Sequence, residues 1–258
     1  SQPTAKPSLG DERRFIAVDM RTNDAVETPF ILKYEGENCN IWLEKGDVQS
    51  ITDEIVTELG SEYDYYIHHQ VQDAFGEAYD RDGDGKMAIF LYDIQDGYNG
   101  SSVRSYVGGF FMPADLVGTE FNSMDVLHID TYPSIDHING VPDLSEIKST
   151  MIHELQHLIE MSACIEADPK EPEGVRITRR ELPLWVNEGL SMAAEHMFYG
   201  VLDSRINYYN SSSYYVNTPL TNWDEGDTLS HYSLSYLFVQ YLRTLTKDFE
   251  GGGEALYK

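Results

Sequence analysis

Two histidines and a glutamate have the type and spacing of a metal-hydrolase motif. They lie in the segment His153-Glu154-Leu155-Gln156-His157, within a stretch whose apolar residues recur at helical spacing. On a helix, residues four apart face the same side, so both imidazoles can bind one zinc ion. Glu154 is turned by about 100° around the axis, where its carboxylate can accept a proton from a water molecule. The motif predicts His153 and His157 as zinc ligands and Glu154 as a catalytic base.

A third protein ligand would distinguish a zinc site from two histidines that merely face solvent. A third histidine in the metzincin arrangement would stand at position 163, with glycine at 160, but these positions hold Ala163 and Glu160. The better candidate is Glu188, within the W-V-N-E-G segment that starts at Trp185 on the next predicted helix. A His, His, Glu set leaves a fourth position open for water, as catalytic zinc sites do and structural sites do not.

This second helix resembles the glutamate helix of the gluzincin clan of zinc peptidases, in which W-x-N-E-G is followed seven residues later by another glutamate. That residue is Glu195 here. Glu188 and Glu195 are two helical turns apart and share a face, so Glu195 can accept a hydrogen bond from a ligand histidine and fix its tautomer. The alternative interpretation of Glu195 is an exposed helix charge.

The last predicted helix carries candidate donors for the oxyanion that forms when water attacks an amide carbonyl. Amide hydrolysis needs such donors, and the gluzincin resemblance implies a tyrosine or histidine from the C-terminal part of the chain. Tyr232 is the first choice as this catalytic residue and His231 is the second. The chain contains 18 tyrosines, so an ordinary packing role for Tyr232 stays open.

A candidate calcium loop precedes the middle strand pattern. Asp80, Asp82, Asp84 and Gly85 form a D-x-D-x-D-G sequence, in which alternating carboxylates converge on a hard cation and glycine allows the sharp turn. The loop is not an EF-hand, because the twelfth position holds Leu91 and a strand follows. A calcium ion here would stabilise the turn without taking part in catalysis. The alternative is a simple Asp/Gly turn.

Strand patterns come first along the chain and helix patterns follow. The predicted strands are Arg13–Met20, Phe30–Glu44 as a hairpin, Met87–Ile94 and Val126–Thr131. The predicted helices are one or two over 50–75 with Ser50 as N-cap, then Leu144–Ile165, Leu184–Tyr199 and Ser230–Thr246. This order predicts an α+β fold. Val126–Thr131 is predicted to be an edge strand that could pair with extended substrate.

Composition divides the chain into four parts. Residues 1–12 are polar and contain proline, and we expect them to be disordered. Residues 13–142 are predicted to form a strand-rich N-terminal subdomain, and residues 143–247 a helical C-terminal subdomain with the zinc site. Residues 248–258 contain three consecutive glycines and are predicted to be a flexible tail or a remnant of expression.

The chain is strongly acidic, with 44 Asp and Glu against 18 Lys and Arg and a formal net charge of -26. This charge repels phosphate backbones, so nucleic acid is not expected as a partner. No apolar stretch approaches the about 20 residues of a membrane span, and residues 1–10 lack the apolar core of a signal peptide. Cys39 and Cys164 form either one disulfide or two thiols.

Further segments resemble the catalytic domain of hyicolysin-type secreted bacterial metallopeptidases, over roughly residues 13–247. They are 80–94, 109–116, 128–133 and 231–238, in addition to the two helical motifs. The resemblance implies a gluzincin-like fold with an N-terminal strand-rich lobe, a C-terminal helical lobe and an active-site cleft between them. It also implies a secreted zinc endopeptidase that acts on protein or peptide substrates.

Two other functions are compatible with the same residues. One is a catalytically inactive binding or adhesion module that calcium stabilises. The other is a zinc hydrolase that acts on a non-peptide amide or on a glycopeptide. Activity with and without a chelator separates the first from a peptidase, and substrate profiling separates the second.

Overall fold

The computed structural model describes residues 6–103, 105–138, 141–170, 174–211 and 218–258. The chain forms two compact units. Unit 1 comprises Ser1–His69, Tyr79–Met151 and Ala167–Val175, and unit 2 comprises Gln70–Ala78, Ile152–Glu166 and Arg176–Lys258. Both units are discontinuous in sequence, unlike the two consecutive ranges predicted. One reason is that Phe75 stacks on Tyr257, with ring centroids 5.1 Å apart, which joins a distant segment to unit 2.

Unit 1 contains a six-stranded mixed sheet, whose strand order is β1-β2-β3-β4-β6-β5. Its strands are β1 (Glu12–Asp19), β2 (Asp24–Glu35), β3 (Cys39–Glu44), β4 (Met87–Tyr92), β5 (Gly109–Phe110) and β6 (Val126–Asp130). The predicted hairpin is confirmed as the antiparallel pair β2 and β3. Strand β4 is parallel to both of its neighbours, β3 and β6, and all six of its residues are buried. Its continuous apolar sequence is typical of a strand covered on both faces.

An aromatic cluster fills one side of this sheet. Phe15 lies 4.6 Å from Phe90 and 5.0 Å from Trp42 between ring centroids, and Phe30 lies 5.0 Å from Phe90. Phe30 and Phe90 are fully buried. Burial of one such side chain contributes about 1.5–3 kcal/mol, so this cluster anchors strands β1 to β4 to one another.

The prediction that Val126–Thr131 is an edge strand is wrong. Strand β6 lies between β4 and β5, and all five of its residues are buried. Its alternating polar residues are buried because they have partners. His128 Nε2 lies 2.8 Å from Asp115 Oδ2, and Asp130 accepts hydrogen bonds from Ile94 N and Ser134 Oγ. The order of strands in a sheet depends on contacts between residues distant in sequence. The alternation of polar and apolar residues within one strand does not show which strands lie beside it.

The helix predicted over 50–75 is one continuous helical run. It consists of α1 (Asp53–Glu62), a π-helical turn (Tyr63–Ile67) and α2 (His68–Phe75). The N-cap is Thr52 and not the predicted Ser50, because the Thr52 hydroxyl accepts the Ile55 N–H at 3.4 Å. Ser50 instead lies in the preceding turn, where its N–H is bonded to the carbonyl of Asp47.

Two short helices were not predicted, α3 (Pro113–Val117) and α6 (Asp203–Ser211). The other three agree closely with the predicted ranges: α4 (Ser145–Cys164), α5 (Leu184–Tyr199) and α7 (Thr228–Thr246). Helix α7 starts two residues before the prediction, because Asp227 caps it by accepting the Ser230 N–H. Short strand pairs, β7 (Asp136–Ile138) with β8 (Val141–Asp143) and β9 (Ile165–Ala167) with β10 (Val175–Ile177), flank α4 in sequence. The α+β class is confirmed.

The two ends of the chain are more ordered than their composition predicts. At the C-terminal end, Gly253–Tyr257 form a 3-10 helix, and Tyr257 is only 5% exposed. A stacking partner 182 positions away, Phe75, holds this segment, so it is not a flexible tail. At the N-terminal end, residues 1–5 lie outside the described part of the chain, but the Gly10 N–H donates to Leu32 O at 2.8 Å.

Both cysteines are thiols. Cys39 and Cys164 are buried and free. In the part of the chain that the structure describes, no helix is long and apolar enough to cross a bilayer.

Candidate metal centre

Within unit 2, residues 152–164 of α4 and helix α5 bring three potential metal ligands together. His153 and His157 lie one turn apart on α4, and Glu188 lies in the second turn of α5. One ligand atom from each of the three side chains falls within 4.8 Å of the others. The structure therefore groups the three residues whose spacing predicts a zinc site.

Each histidine is oriented by a hydrogen bond at its other ring nitrogen. His153 Nδ1 lies 2.7 Å from Glu195 Oε1, and His157 Nδ1 lies 2.9 Å from Asn187 Oδ1. Both partners are acceptors here, so both Nδ1 atoms carry the proton and both Nε2 atoms present a lone pair. Partners of this kind fix the tautomer and the ring orientation of metal-binding histidines.

The arrangement fits a cation at the point where the three side chains converge. Glu188 Oε2 lies 3.3 Å from His153 Nε2 and 3.6 Å from His157 Nε2. It is buried and makes no well-formed hydrogen bond among the described residues. Two nitrogen lone pairs and a carboxylate oxygen would repel one another without a positive charge between them. The donor set, two imidazoles and one carboxylate, suits zinc.

The ionisation of the three side chains is coupled. Burial alone would raise the pKa of Glu188, but the two histidines outweigh burial and lower it to about 2. Burial likewise works against the charged form of His153, yet contacts with Glu188 and Glu195 raise its pKa well above the usual value. The site therefore holds a net negative charge unless a proton or a metal ion is bound.

Glu154 is close enough to act on these groups. Its side chain is buried, with 7% of the residue exposed. Its charge contributes to raising the pKa of His153 and that of Tyr232. Glu154 is not one of the three convergent side chains, and its role beside a metal ion stays a prediction.

Tyr232 lies in the same surroundings and is clamped by two side chains. Burial raises its pKa most, followed by the charges of Glu188 and Glu154. The Arg205 guanidinium of α6 lies over the tyrosine ring, 5.2 Å from its centroid. Trp223 meets the same ring edge-on at 5.1 Å. Tyr232 is therefore held through its ring and lies close enough to Glu188 and Glu154 for their charges to raise its pKa.

His231 has different neighbours from Tyr232. Its Nε2 accepts the Asp224 N–H at 2.9 Å, and its ring stacks on Trp223 with centroids 5.2 Å apart. The Nε2 lone pair is thereby occupied. His231 thus supports the segment that carries Trp223, and no contact places it at the metal ligands within the described residues.

The calcium candidates also lie together, in unit 1. Asp80, Asp82 and Asp84 offer carboxylate oxygens within 4.8 Å of one another, and all three residues are exposed. Asp80 accepts the N–H groups of Gly83 and Gly85 at 2.8 and 3.1 Å. Both glycines have φ of 76°, in the left-handed region that other residues rarely adopt.

A fourth carboxylate, that of Asp125, lies in no sequence motif and was not predicted. It is 4% exposed, and its Oδ1 accepts the Arg81 N–H at 2.9 Å. Burial raises its pKa to about 8, and the negative charges of Asp82 and Asp80 add to this shift. Nothing in the sequence indicates that Asp125 lies near the Asp80–Asp84 loop, because Asp125 is at least 41 residues away along the chain.

Asn187, Trp223 and Arg205 were also missed. Asn187 had a usable signal, since it directly precedes Glu188 in the W-V-N-E-G segment. Trp223 and Arg205 had none, because they come from a loop and a helix that no motif marks.

Comparison with known proteins gives a match along almost the whole of this chain. No family model matches the chain. The chain is 39% identical, over 254 residues, to the neutral metalloprotease ShpI of Staphylococcus hyicus. The aligned region covers 97% of this chain and 54% of that protein, so the chain spans about half the length of the relative. The activity in that name is the relative's; in this chain, His153, His157 and Glu188 form the candidate metal centre.

Proposed function

We propose that the chain is a secreted zinc endopeptidase with a gluzincin-like fold. The observation that carries the proposal is the convergence of His153 Nε2, His157 Nε2 and Glu188 Oε2, with both Nδ1 atoms already engaged. The 39% sequence identity to a neutral metalloprotease also supports metal-dependent hydrolysis of peptide bonds. A bound zinc ion would supply a Lewis acid that acidifies water and polarises the carbonyl of the scissile bond.

Glu154 performs the proton transfers in this proposal. A buried carboxylate beside the ligands accepts a proton from the attacking water as the new C–O bond forms. It then donates that proton to the amine nitrogen as the C–N bond breaks, which regenerates the carboxylate. Glu154 thus acts as base and then as acid, and no other proton carrier is needed.

Tyr232 donates its hydroxyl hydrogen to the oxyanion. Its raised pKa keeps the phenol protonated at neutral pH, which a donor requires. Arg205 and Trp223 position the ring. Loss of a single oxyanion donor typically lowers kcat by about 100-fold to 1,000-fold, so Tyr232→Phe should show a large decrease with zinc content unchanged.

The test is cleavage of an unbiased peptide library, with the products sequenced and zinc content measured on the same samples. The wild type should contain one zinc per chain and cleave internal peptide bonds, and a chelator should abolish cleavage. Glu188→Ala should lose zinc. Full zinc content without any peptide product would instead favour an inactive binding module, and cleavage restricted to glycopeptides or to other amides would favour a different zinc hydrolase.

We also propose that the Asp80–Asp84 loop binds calcium to stabilise unit 1. The left-handed glycines and the three clustered carboxylates support this assignment. Calcium should raise the unfolding temperature of zinc-loaded protein, because it binds the folded state only. Asp82→Asn should remove the increase, whereas Asp24→Asn, in the unrelated turn at the start of β2, should keep it. An equal increase in both variants would remove the loop as the calcium site.

A further inference from the structure

Arg205 of α6 presents a guanidinium group with unused donors beside the candidate metal centre. Its Cζ lies over the Tyr232 ring, 5.2 Å from the centroid. A guanidinium that stacks on an aromatic ring keeps its five N–H donors at its edge. Within the described ranges, these donors have no hydrogen-bond acceptor and no carboxylate partner. The residue is partly exposed, so a ligand can reach the side chain from solvent.

The missing acidic partner is unexpected in so acidic a chain, which has 44 Asp and Glu against 18 Lys and Arg. Arg243, in the same unit, does pair with a carboxylate, that of Glu254 at 3.5 Å. Arg205 is held instead by its contact with the Tyr232 ring. A guanidinium that is held in place and has unused edge donors is pre-organised to bind a planar carboxylate through two hydrogen bonds.

The position of Arg205 connects this binding capacity to the proposed peptidase reaction. Tyr232 is the proposed oxyanion donor, so its hydroxyl would lie at the carbonyl of the scissile bond. The charge of Arg205 lowers the pKa of that hydroxyl, which burial and two carboxylates raise, so the guanidinium is close to the same point. Successive residues of an extended peptide are about 3.3–3.6 Å apart. The guanidinium is therefore within reach of the residues that flank the scissile bond.

We propose that Arg205 selects substrates that carry a carboxylate next to the scissile bond, either an acidic side chain or the peptide C-terminus. The inference rests on the proposed peptidase function and adds a substrate class to it. Two edge donors of the guanidinium bind the two carboxylate oxygens. The net charge of -26 repels anionic peptides at long range, but salt screens exposed charges beyond about 8 Å at physiological ionic strength, and a direct contact is screened less.

Cleavage of matched peptides by the zinc-loaded protein at physiological ionic strength tests the proposal. Peptides with both ends capped carry either glutamate or glutamine on one side or the other of the scissile bond. On one side, glutamate should increase kcat/KM by about tenfold. Most of the difference should lie in KM, because the carboxylate is bound before the transition state as well as in it. A third pair has glutamine at both positions and ends, just after the scissile bond, in a free or an amidated C-terminus. Preference for its free form alone would assign the carboxylate to the C-terminus.

Variants assign the preference to Arg205. Arg205→Gln should remove it, so that the glutamate and glutamine peptides are cleaved with equal kcat/KM, and Arg205→Lys should keep part of it. Arg205→Glu should reverse it, so that a lysine peptide is cleaved better than the glutamate peptide. The ratio between two peptides for one variant cancels any general loss of activity. Arg243→Gln is the matched control and should keep the preference of the wild type.

Two further measurements separate substrate recognition from the positioning of Tyr232. Tyr232→Phe keeps the ring under Arg205, so the preference for the carboxylate should persist although kcat falls. Peptides without a carboxylate should show only the loss of kcat that follows from the ring contact when Arg205 is replaced by glutamine. Zinc-loaded Glu154→Gln, which should not cleave, should bind the glutamate peptide about tenfold more tightly than the glutamine peptide in titration calorimetry.

The outcomes distinguish this inference from the proposed function. A wild-type protein that cleaves no peptide would overturn the proposed function. Cleavage with equal kcat/KM within every pair would overturn only the selection by Arg205, and so would a preference that Arg205→Gln retains.

Discussion

Glu195 Oε1 lies 2.7 Å from His153 Nδ1, although the two residues are 42 positions apart and on different helices. His157 is held in the same way by an uncharged amide, that of Asn187. The two histidines therefore differ in their support. A carboxylate that accepts the Nδ1–H of an imidazole increases the basicity of Nε2 more than an amide does. We therefore expect His153 to be the stronger metal ligand of the two.

The first prediction concerns this support. Glu195→Gln keeps an oxygen acceptor but removes the charge, and it should lower zinc affinity by about 10-fold to 100-fold. Competition with a chelator of known affinity measures the change. Glu254→Gln, which removes an exposed acid of unit 2, is the control and should leave affinity unaltered. Equal zinc affinity in Glu195→Gln and the wild type would show that this contact does not tune the metal site.

The second prediction concerns Arg205, which contacts the ring of Tyr232. Cation–π contacts contribute about 0.5–2 kcal/mol, so Arg205→Gln should lower kcat by about 2-fold to 30-fold with little change in KM. Arg205→Lys should restore part of the loss. In a Tyr232→Phe background, Arg205→Gln should have almost no further effect, because the hydroxyl that it positions is already absent.

The control for that series is Arg243→Gln, which removes a positive charge of α7 that pairs with Glu254 instead. Its kcat should match that of the wild type. If Arg205→Gln lowers kcat equally with and without the Tyr232 hydroxyl, Arg205 does not act through Tyr232. The peptidase assignment would survive that result.

The third prediction concerns pH and Asp125. Burial raises its pKa to about 8, above the unfolded value of about 3.9. The folded state therefore binds the proton more tightly, and in calcium-free protein the free energy of unfolding should decrease as pH rises from about 4 to 8. Asp125→Asn keeps an acceptor for the Arg81 N–H and should flatten this slope. Denaturant unfolding between pH 5 and pH 9 measures this pH dependence. Parallel slopes in the wild type and Asp125→Asn would show that Asp125 does not cause it.

Local patterns were sufficient for the parts of the molecule that single helices define. The His153–His157 spacing and the segment around Glu188 are each contained in one helix, so sequence alone could predict their grouping. Glu195 was singled out by the resemblance to the gluzincin glutamate helix, and helical geometry only placed it on the same face as Glu188. The bounds of α5 also matched, because Pro183 marks its start and Gly200 its end.

Long-range packing explains what the sequence could not predict. The edge position next to β6 belongs to the two-residue strand β5, which is too short to show any periodicity. The order of the C-terminal segment depends on the stacking of Tyr257 on Phe75. Asp125 and Arg205 meet their partners only through the tertiary fold, and neither lies in a motif.

The central claim is that Glu154 transfers protons beside a zinc ion held by His153, His157 and Glu188. The most direct measurement is the cleavage rate of Glu154→Gln together with its zinc content. The variant should keep one zinc per chain and lose cleavage by about 100-fold or more, since general acid–base catalysis contributes about 100-fold to 10,000-fold. Parental cleavage by zinc-loaded Glu154→Gln would contradict the account.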